Sequence, residues 1–598
     1  MIKIIKLINK FFLNKDQKKN MVYFFLFSLT IPFLEVISIS ALSGLVLLFV
    51  DFESSITLIP ILSFQEKLLE FDRIVLLKIL AFVVFFVILL KNIIIYLYYY
   101  FEKNISHKLM VSNSTYIFKK HLNYPYFVHL NLNSEQVQND ILSQSKNITI
   151  YIFSLIALLK DLIISSFLIG ALLFVNFKTT ALIIFFSIAV GFIFQKLTAS
   201  KVKKYGNLLR FLISSQIKIV QAASSGIKSI ILFTKKNFFY NQFNEYAKKV
   251  ANIQITYEMI HKIPRLLLET MFILLIVIFI FFTFKNVEDI KNFLPYLVFL
   301  TVSAVRLIAI FTSIAVATTS LRFLRPIIET IINNFDPDKK DNTNFIKEEK
   351  NHSMIEDKNF ILKSIILKNL EFKYQGSDNY VLKDINLKFE KNKIYCFAGE
   401  TGCGKSTLMD ITMGLLTPTS GKILINDNIE LTQNDESWFE KISYVPQETF
   451  LINETFKNNV CFAENDKEIS NENFFKAINL ACLDDVNVEL NKKGDFNIGD
   501  RGIKISGGQR QRVGIARALY KERPFLGLDE ATSALDIKTE SQILKNLHEI
   551  KKNKILIIIA HRISVIKNCD EVILLKNGCI EFCGTPENYF KQYSTSVD

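Results

Sequence analysis

The 598 residues of the chain carry a formal net charge of +14, and half of them are hydrophobic, including 54 phenylalanines. This length predicts more than one domain, and the apolar content is high for a soluble enzyme. The positive charge would suit nucleic acid, but the basic loops of a membrane protein explain it more simply. We therefore expect no nucleic-acid partner. The cysteines form no CxxC pair, which indicates a reducing compartment without a disulfide framework.

Apolar residues crowd the first 320 positions in runs of about 20, the length that crosses a hydrocarbon core. The runs predict six membrane spans, at residues 21–50, 74–101, 150–175, 178–196, 264–284 and 293–319. The basic, amphipathic N-terminus predicts a cytoplasmic lead-in helix without a cleavable signal peptide. Loop 51–73 is acidic and amphipathic, so it predicts either a helix on the outer surface or a packed re-entrant turn.

The long loops decide the orientation of the spans. Loops 102–149 and 196–263 are basic, and basic loops stay in the cytoplasm. Both termini then lie inside, and the helical patterns of these loops predict that they continue the spans into the cytoplasm. A polar stretch with little capacity to form a core follows. The predicted division is a transmembrane domain at 1–333, a linker at 334–360 and a soluble domain at 361–598.

The soluble domain contains a phosphate-binding loop. "GETGCGKS" fits G-x-x-x-x-G-K-[ST] between an apolar strand and a helical pattern. Backbone N–H groups at such a helix N-terminus hold phosphate oxygens, Lys405 would reach the β- and γ-phosphates, and Ser406 would bind Mg²⁺. The predicted nucleotide-binding residues of this loop are Gly399, Glu400, Thr401, Gly402, Cys403, Gly404, Lys405, Ser406 and Thr407.

Two acidic residues end an apolar strand further along, in "FLGLDEATSALD". Asp529 suits the Mg²⁺ shell, and Glu530 is positioned to orient or deprotonate the attacking water. Paired acids at a strand end are usually just solvated, but here they follow a phosphate loop.

The string "KISGGQRQR" resembles the signature of ATP-binding cassette (ABC) ATPases, with Ile505 in place of the usual leucine. Other residues fit the same family in the same order. Tyr374 would stack on adenine, Gln447 would touch the metal, and His561 would contact the γ-phosphate. The signature itself comprises Ser506, Gly507, Gly508 and Gln509. The residues Ser533 to Asp536 would form the loop exchanged between two cassettes.

This resemblance implies a fold, cofactors and a partner. The fold class is an α-helical six-span membrane domain of exporter type followed by an α/β P-loop ATPase domain. The cofactors are ATP and Mg²⁺, with Ser406, Gln447 and Asp529 at the metal. The signature of one cassette closes on the nucleotide of another, so the chain would be half a transporter and act as a homodimer. Gly527 departs from the family's bulky aliphatic residue, and we expect unfilled packing there.

One arginine interrupts the sixth predicted span. Arg306 lies in "FLTVSAVRLIAIF", where a charge costs about 2.5–3.5 kcal/mol on insertion scales. Counting from the span ends, Lys91, Arg265 and Arg306 all fall in the inner half of the membrane domain, which suits an anionic headgroup loaded from the cytoplasm. The alternative is structural: Lys91 snorkels, Arg265 lies at the interface, and Arg306 pairs with Glu35 or Glu269.

The membrane half resembles the ABC flippases for lipid-linked oligosaccharides of bacterial N-glycosylation, through "FLEVISISAL", "IPRLLLE" and "VRLIAIF". This resemblance implies a multi-pass protein of the bacterial inner membrane, in contact with membrane lipids, that moves a polyprenyl-diphosphate glycan to the outer leaflet. Lys91 stands where an arginine is expected and lacks its bidentate fork. The alternatives are an ABC exporter of another lipid, a peptide or a drug, and a non-transport ATPase that acts on nucleic acid.

Overall fold

The computed structural model describes residues 12–50, 73–175, 177–283, 287–335, 360–431, 435–462, 464, 467–484, 486, 497–499 and 502–593. Within the chain, residues group into two compact units. The first comprises Met1–Tyr124 and Leu132–Ile346, and the second comprises Pro125–Asn131 and Lys347–Asp598. The predicted loop at 51–73 and most of the predicted linker lie outside the described residues.

The described part of the N-terminal half is helical. Its helices are α1 (Lys15–Ser28), α2 (Thr30–Val50), α3 (Arg73–Leu122), α4 (Tyr126–Asn131), α5 (Ser134–Asn139), a π-helical turn (Asp140–Gln144), α6 (Ser145–Val175), α7 (Phe177–Ser225), α8 (Ile227–Leu232), α9 (Lys236–Thr283) and α10 (Val287–Phe335). The long helices run well beyond the predicted spans, as the helical patterns of the adjoining loops predicted, and α9 continues through Pro264.

Five stretches of the described helices are long and apolar enough to cross a membrane. They are Lys15–Leu42, Leu77–Leu122, Ser134–Gly170, Ile184–Ser225 and Leu307–Ile331. These stretches match the first, second, third, fourth and sixth predicted spans. The fifth predicted span lies on α9, whose described part ends at residue 283.

The second unit is an α/β domain. Its strands are β1 (Ser364–Phe372), β2 (Leu382–Glu390), β3 (Lys393–Ala398), β4 (Ser420–Ile425), β5 (Ile429–Glu430), β6 (Ile442–Val445), β7 (Phe525–Asp529), β8 (Ile555–Ile559), β9 (Glu571–Lys576) and β10 (Cys579–Gly584). Its helices are α11 (Lys405–Thr412), α12 (Glu436–Phe439), α13 (Phe456–Cys461), α14 (Asn471–Leu480), α15 (Gly507–Tyr520), α16 (Ile537–Ile550), α17 (Ile563–Lys567) and α18 (Pro586–Tyr593).

Two sheets organise this domain. The order of the larger sheet is β10-β9-β3-β8-β7-β6, with parallel pairing from β9 to β6, and the smaller antiparallel sheet has the order β2-β1-β4-β5. The central strand β8 reads "ILIII", and all five of its residues are buried, as expected for a parallel strand covered on both faces. Ligands of open α/β sheets bind at the carboxyl ends of such strands.

The short helix α4 belongs to the second unit although its sequence lies between two helices of the first. Phe127 packs against the apolar cluster that includes Met409 and Trp438. Burial raises the pKa of the neighbouring Tyr126, and the charges of Asp410 and Tyr374 add to the effect. The predicted transmembrane domain included this segment, whereas the structure groups it with the second unit, because Phe127 packs on the α/β domain.

Candidate nucleotide site

The phosphate-binding loop connects β3 to α11 and depends on glycine at two close approaches. Gly399 has a φ of 137°, and a Cβ there would lie 2.3 Å from the carbonyl oxygen of Leu575. Gly404 has a φ of 106°, and its Cβ would lie 2.9 Å from the Cδ2 of Leu382. Other side chains would strain or obstruct both positions, so the glycine spacing of the motif follows from the packing of the loop.

Lys405 is held within this loop. It is 6% exposed, and its Nζ donates to the carbonyl oxygens of Gly399, at 2.8 Å, and Glu400, at 2.7 Å. The hydroxyls of Tyr374 and Thr407 are 3.1 Å apart, so the predicted adenine-stacking residue lies beside the first turn of α11. The structure thus brings the predicted base and phosphate residues to one place.

The predicted metal ligands supply oxygen atoms at the end of β7. The carboxylate of Asp529 accepts hydrogen bonds from the hydroxyls of Ser406 and Tyr444, the latter at 3.4 Å, and burial raises its pKa. Hydroxyl, carboxylate and amide oxygens are the donors that Mg²⁺ prefers. Ser406, Asp529 and Gln447 therefore fit a magnesium ion.

Glu530 follows directly and meets both other predicted catalytic residues. Gln447 Nε2 donates to Glu530 Oε2 at 3.0 Å, and His561 Nε2 lies 3.3 Å from Glu530 Oε1. The backbone of Glu530 is left-handed, with a φ of 46°, which is uncommon for a non-glycine residue. Its N–H donates to the carbonyl oxygen of Ile559, at 3.1 Å. These contacts fix the carboxylate at the carboxyl edge of the sheet.

The signature residues form the N-terminus of α15. The Ser506 hydroxyl accepts from the N–H of Gln509 at 3.2 Å, and the Gln509 amide oxygen accepts from the N–H of Ser506 at 2.8 Å. This is a reciprocal cap at a helix N-terminus, a place that suits an anion. Within the described residues, no hydrogen bond or ion pair joins Ser506–Gln509 to the phosphate loop of the same chain.

The expectation for Gly527 was wrong. The position is buried, and a Cβ would lie 3.1 Å from the sulfur of Met409 and 3.3 Å from Cδ2 of Tyr444. These two side chains occupy the space that an aliphatic residue would take. The glycine therefore admits Tyr444, whose hydroxyl contacts Asp529.

Asp410 is a titratable residue of this site that the sequence did not predict. Asp410 lies on α11, and burial, reinforced by the charge of Asp529, raises its pKa from 3.8 to about 7. The position follows the motif by one helical turn, but no local signal marks it, because Asp529 is distant in sequence.

Two of the three predicted cargo residues have acidic partners within the membrane half. Lys91 is buried, and its Nζ lies 3.8 Å from Glu35 Oε2 and 3.4 Å from the Ser38 hydroxyl. Arg265 is exposed, and its Nε lies 2.6 Å from Glu269 Oε1.

The third predicted cargo residue, Arg306, lies on α10, and its side chain falls outside what the structure describes. Among the described atoms, Glu35 lies near Lys91 and Glu269 near Arg265. The alternative that Arg306 pairs with one of these glutamates falls outside the described residues. The cargo role of all three basic residues stays a prediction.

The third span contains charges that the sequence analysis overlooked. Lys160 Nζ lies 3.6 Å from Asp161 Oδ1, and the Ser313 hydroxyl donates to Asp161 Oδ2. Together with Glu35 these residues line a cavity of about 200 Å³. The signal was available, because "LLKDLI" interrupts an apolar run with two adjacent charges, and intramembrane charges indicate function or pairing.

Comparison with known proteins identifies the class. Residues 382–533 match the family described as "ABC transporter". A structure of "a bacterial Atm1-family ABC exporter with ATP bound" covers 97% of both chains, with a TM-score of 0.78 at 19% identity. The chain therefore contains an ABC transporter ATP-binding domain, hereafter the cassette, and has the fold of an ABC exporter. The predicted fold class and the predicted resemblance to exporter-type ABC transporters are confirmed. The resemblance to flippases for lipid-linked oligosaccharides stays a prediction.

Curated relatives are similar over part of their length. The alpha-hemolysin translocation ATP-binding protein HlyB of Escherichia coli O157:H7 is 40% identical over 37% of this chain and 31% of its own. The ATP-dependent lipid A-core flippase of Idiomarina loihiensis is 36% identical over 38% of this chain and 39% of its own. A putative multidrug export ATP-binding/permease protein of Staphylococcus aureus is 36% identical over 37% of this chain and 38% of its own. The chain thus spans about a third of the length of these relatives.

Proposed function

We propose that this chain hydrolyses ATP and couples the hydrolysis to export across a membrane. The observation that carries the proposal is the contact of Glu530 with both Gln447 and His561, next in sequence to Asp529, which with Ser406 is a predicted metal ligand. A carboxylate fixed at this edge can take the proton of the attacking water. A bound Mg²⁺ would neutralise phosphate charge, while Lys405 would hold the β- and γ-phosphates.

The working unit is a homodimer. The capped N-terminus of α15 suits an anion, yet no described contact joins Ser506–Gln509 to the phosphate loop of the same chain. A second copy of the chain would bring its signature to that loop and complete the site. Gln511 Nε2 donates to the Ser533 hydroxyl at 2.9 Å, so the signature helix is tied to the loop that follows Glu530. Helix α4, packed on the cassette, supports transmission of closure to the spans on either side of it.

The proposed cargo is an anionic lipid-linked oligosaccharide, carried on a polyprenyl diphosphate from the inner to the outer leaflet. Arg306, inside the sixth predicted span, supports this cargo class. An ATP-dependent lipid A-core flippase is among the relatives. The buried contact between Lys91 and Glu35 favours a structural role for that lysine, so the cargo proposal rests chiefly on Arg306.

The proposed location of the protein is a bacterial inner membrane, with both termini in the cytoplasm. Loops 102–149 and 196–263 carry the basic residues that support this orientation. Labelling of the exposed Cys579 and Cys583 by an impermeant maleimide tests it, because the label should reach them in inverted vesicles and not in intact cells.

Proteoliposomes that contain a fluorescent polyprenyl-diphosphate oligosaccharide test the cargo. We expect ATP-dependent leaflet exchange that is lost in Arg306→Ala and partly kept in Arg306→Lys, with ATPase activity retained in both. Arg325→Ala is a matched control, because Arg325 is exposed, pairs with Glu329 and is not among the predicted cargo residues. Exchange unchanged in Arg306→Ala would remove that residue from the cargo site.

The second candidate is an exporter of another lipid, a peptide or a drug. The alpha-hemolysin and multidrug relatives favour it, and so does the pairing of Lys91 and Arg265 with acidic residues. Vigorous ATPase activity without exchange of the diphosphate lipid would select this candidate. The absence of ATPase activity would contradict both.

A further inference from the structure

A second cavity lies between α1 and α3 in the membrane unit. Its volume is about 390 Å³, within the range of about 300–1,000 Å³ that is common for ligand pockets. The lining residues are Gln17, Asn20, Met21, Tyr23, Phe24, Phe27, Phe101, Asn104, Ile105, Lys108 and Leu109. The cavity is therefore polar in part and aromatic in part.

The polar and aromatic residues separate to opposite ends of the cavity because the two helices are antiparallel. Phe12 contacts Tyr116, with ring centroids 5.9 Å apart, whereas Phe24 stacks on Tyr98 at 5.0 Å. Residue numbers thus rise along α1 as they fall along α3. The beginning of α1 therefore lies beside the part of α3 that follows Phe101.

This register defines the two ends of the cavity. Gln17, Asn20, Asn104 and Lys108 line one end, and aromatic residues such as Phe101 line the other. From Phe101 to Lys108 the helix rises about 10 Å, which is the scale of a lipid headgroup region rather than of the hydrocarbon core.

The polar end is positively charged. This part of α1 and α3 carries more basic than acidic residues. The basic residues are Lys15, Lys18 and Lys19 on α1 and Lys103 and Lys108 on α3, and the acidic residues are Asp16 and Glu102. Lys103 lies 3.9 Å from Glu102. Among the residues that the structure describes, Lys108 makes no ion pair, and it is the only one of these lysines that lines the cavity.

We propose that this cavity binds one anionic glycerophospholipid, with its phosphate at Lys108 and Asn104 and the start of an acyl chain against Phe27 and Phe101. A lysine and amide groups suit a phosphate oxygen, and aromatic side chains prefer this depth of the membrane. Phe24 lines the cavity and is 3% exposed, so the acyl chain would contact a well-packed part of the protein. The lipid is a resident component, distinct from the exported cargo.

Quenching by brominated lipids tests the proposal on the full chain in nanodiscs, without ATP or cargo. Trp438 is the only tryptophan and is fully buried in the cassette, so Tyr23→Trp adds a single reporter at the cavity. The discs contain phosphatidylcholine with a small, equal mole fraction of brominated phosphatidylglycerol or brominated phosphatidylcholine. We expect the phosphatidylglycerol to quench the introduced tryptophan more strongly.

The lysines on α3 provide the matched comparison. Lys108→Gln should reduce the advantage of phosphatidylglycerol about fivefold, whereas Lys103→Gln, outside the cavity, should leave most of it. Equal quenching by the two lipids would overturn the proposal, and so would equal losses in both variants, which indicate general surface charge. If Tyr23→Trp misfolds, native mass spectrometry of the Lys variants decides the matter by counting bound phosphatidylglycerol against phosphatidylcholine.

Discussion

Replacing Asp410 by asparagine tests the electrostatics of the cassette. Burial and the nearby charge of Asp529 raise the pKa of Asp410 from 3.8 to about 7. The unfolded chain releases this proton near the ordinary value, so the folded chain holds an extra proton between about pH 4 and pH 7. The associated stability is fully present below about pH 4 and is lost as the pH rises through about 7. At about 1.4 kcal/mol per pKa unit, the loss is at most about 4 kcal/mol.

The variant Asp410→Asn should escape this loss, because its amide is neutral at every pH. The fluorescence of Trp438 reports thermal unfolding of the cassette within the full chain, because this tryptophan is buried in the same apolar cluster as Met409. We expect the wild type and Asp410→Asn to have equal thermal-unfolding midpoints near pH 4. At pH 8 the midpoint of the variant should be higher. Each kcal/mol corresponds to about 2–4 °C for a domain of this size.

The measurement needs a chelator and no nucleotide, because Mg²⁺ near Asp529 would favour ionised carboxyls. Asp427→Asn is the control, since Asp427 is exposed and has the left-handed backbone that asparagine also accepts. Coincident midpoints of wild type and Asp410→Asn at pH 8 would refute the reasoning. An increase of the same size at pH 4 and pH 8 would also refute it, because that gain would not come from titration.

Glu530→Gln should retain ATP binding and lose about 10²–10⁴-fold of the turnover, measured by phosphate release; near-normal release would remove Glu530 from the chemistry. Gly527→Val should lower the free energy of unfolding by about 1–3 kcal/mol, because the added atoms meet Met409; an unchanged thermal midpoint would contradict the packing. Lys91→Met should lower the free energy of unfolding by about 3–5 kcal/mol, because it removes the buried ammonium group that lies 3.8 Å from Glu35. The double variant Lys91→Met with Glu35→Gln should recover most of this loss. Lost transport at unchanged stability would instead give Lys91 a cargo role.

The cassette was predictable because its functional residues lie in contiguous sequence motifs at the ends of strands. A strand, a glycine loop and a helix fix where Lys405 and Ser406 must lie, and parallel pairing brings the end of β7 beside the same loop. Contacts between residues of different motifs could not be predicted in the same way. Gly527 looked like a packing defect, because only the folded chain shows that Met409 and Tyr444 fill the space. The raised pKa of Asp410 has the same origin in a distant neighbour.

In the membrane half, apolar run length predicts the spans but not the partners of the charges within them. A charge in such a run must have a partner, a water-filled cavity or a ligand to offset its cost, and the sequence does not distinguish these. Lys91 and Glu35 are far apart in sequence, yet they meet because two spans pack together. Lys160 and Asp161 satisfy each other on one helix while still lining a cavity. An intramembrane charge therefore indicates that something offsets its cost, and only transport measured beside stability separates a structural partner from a cargo.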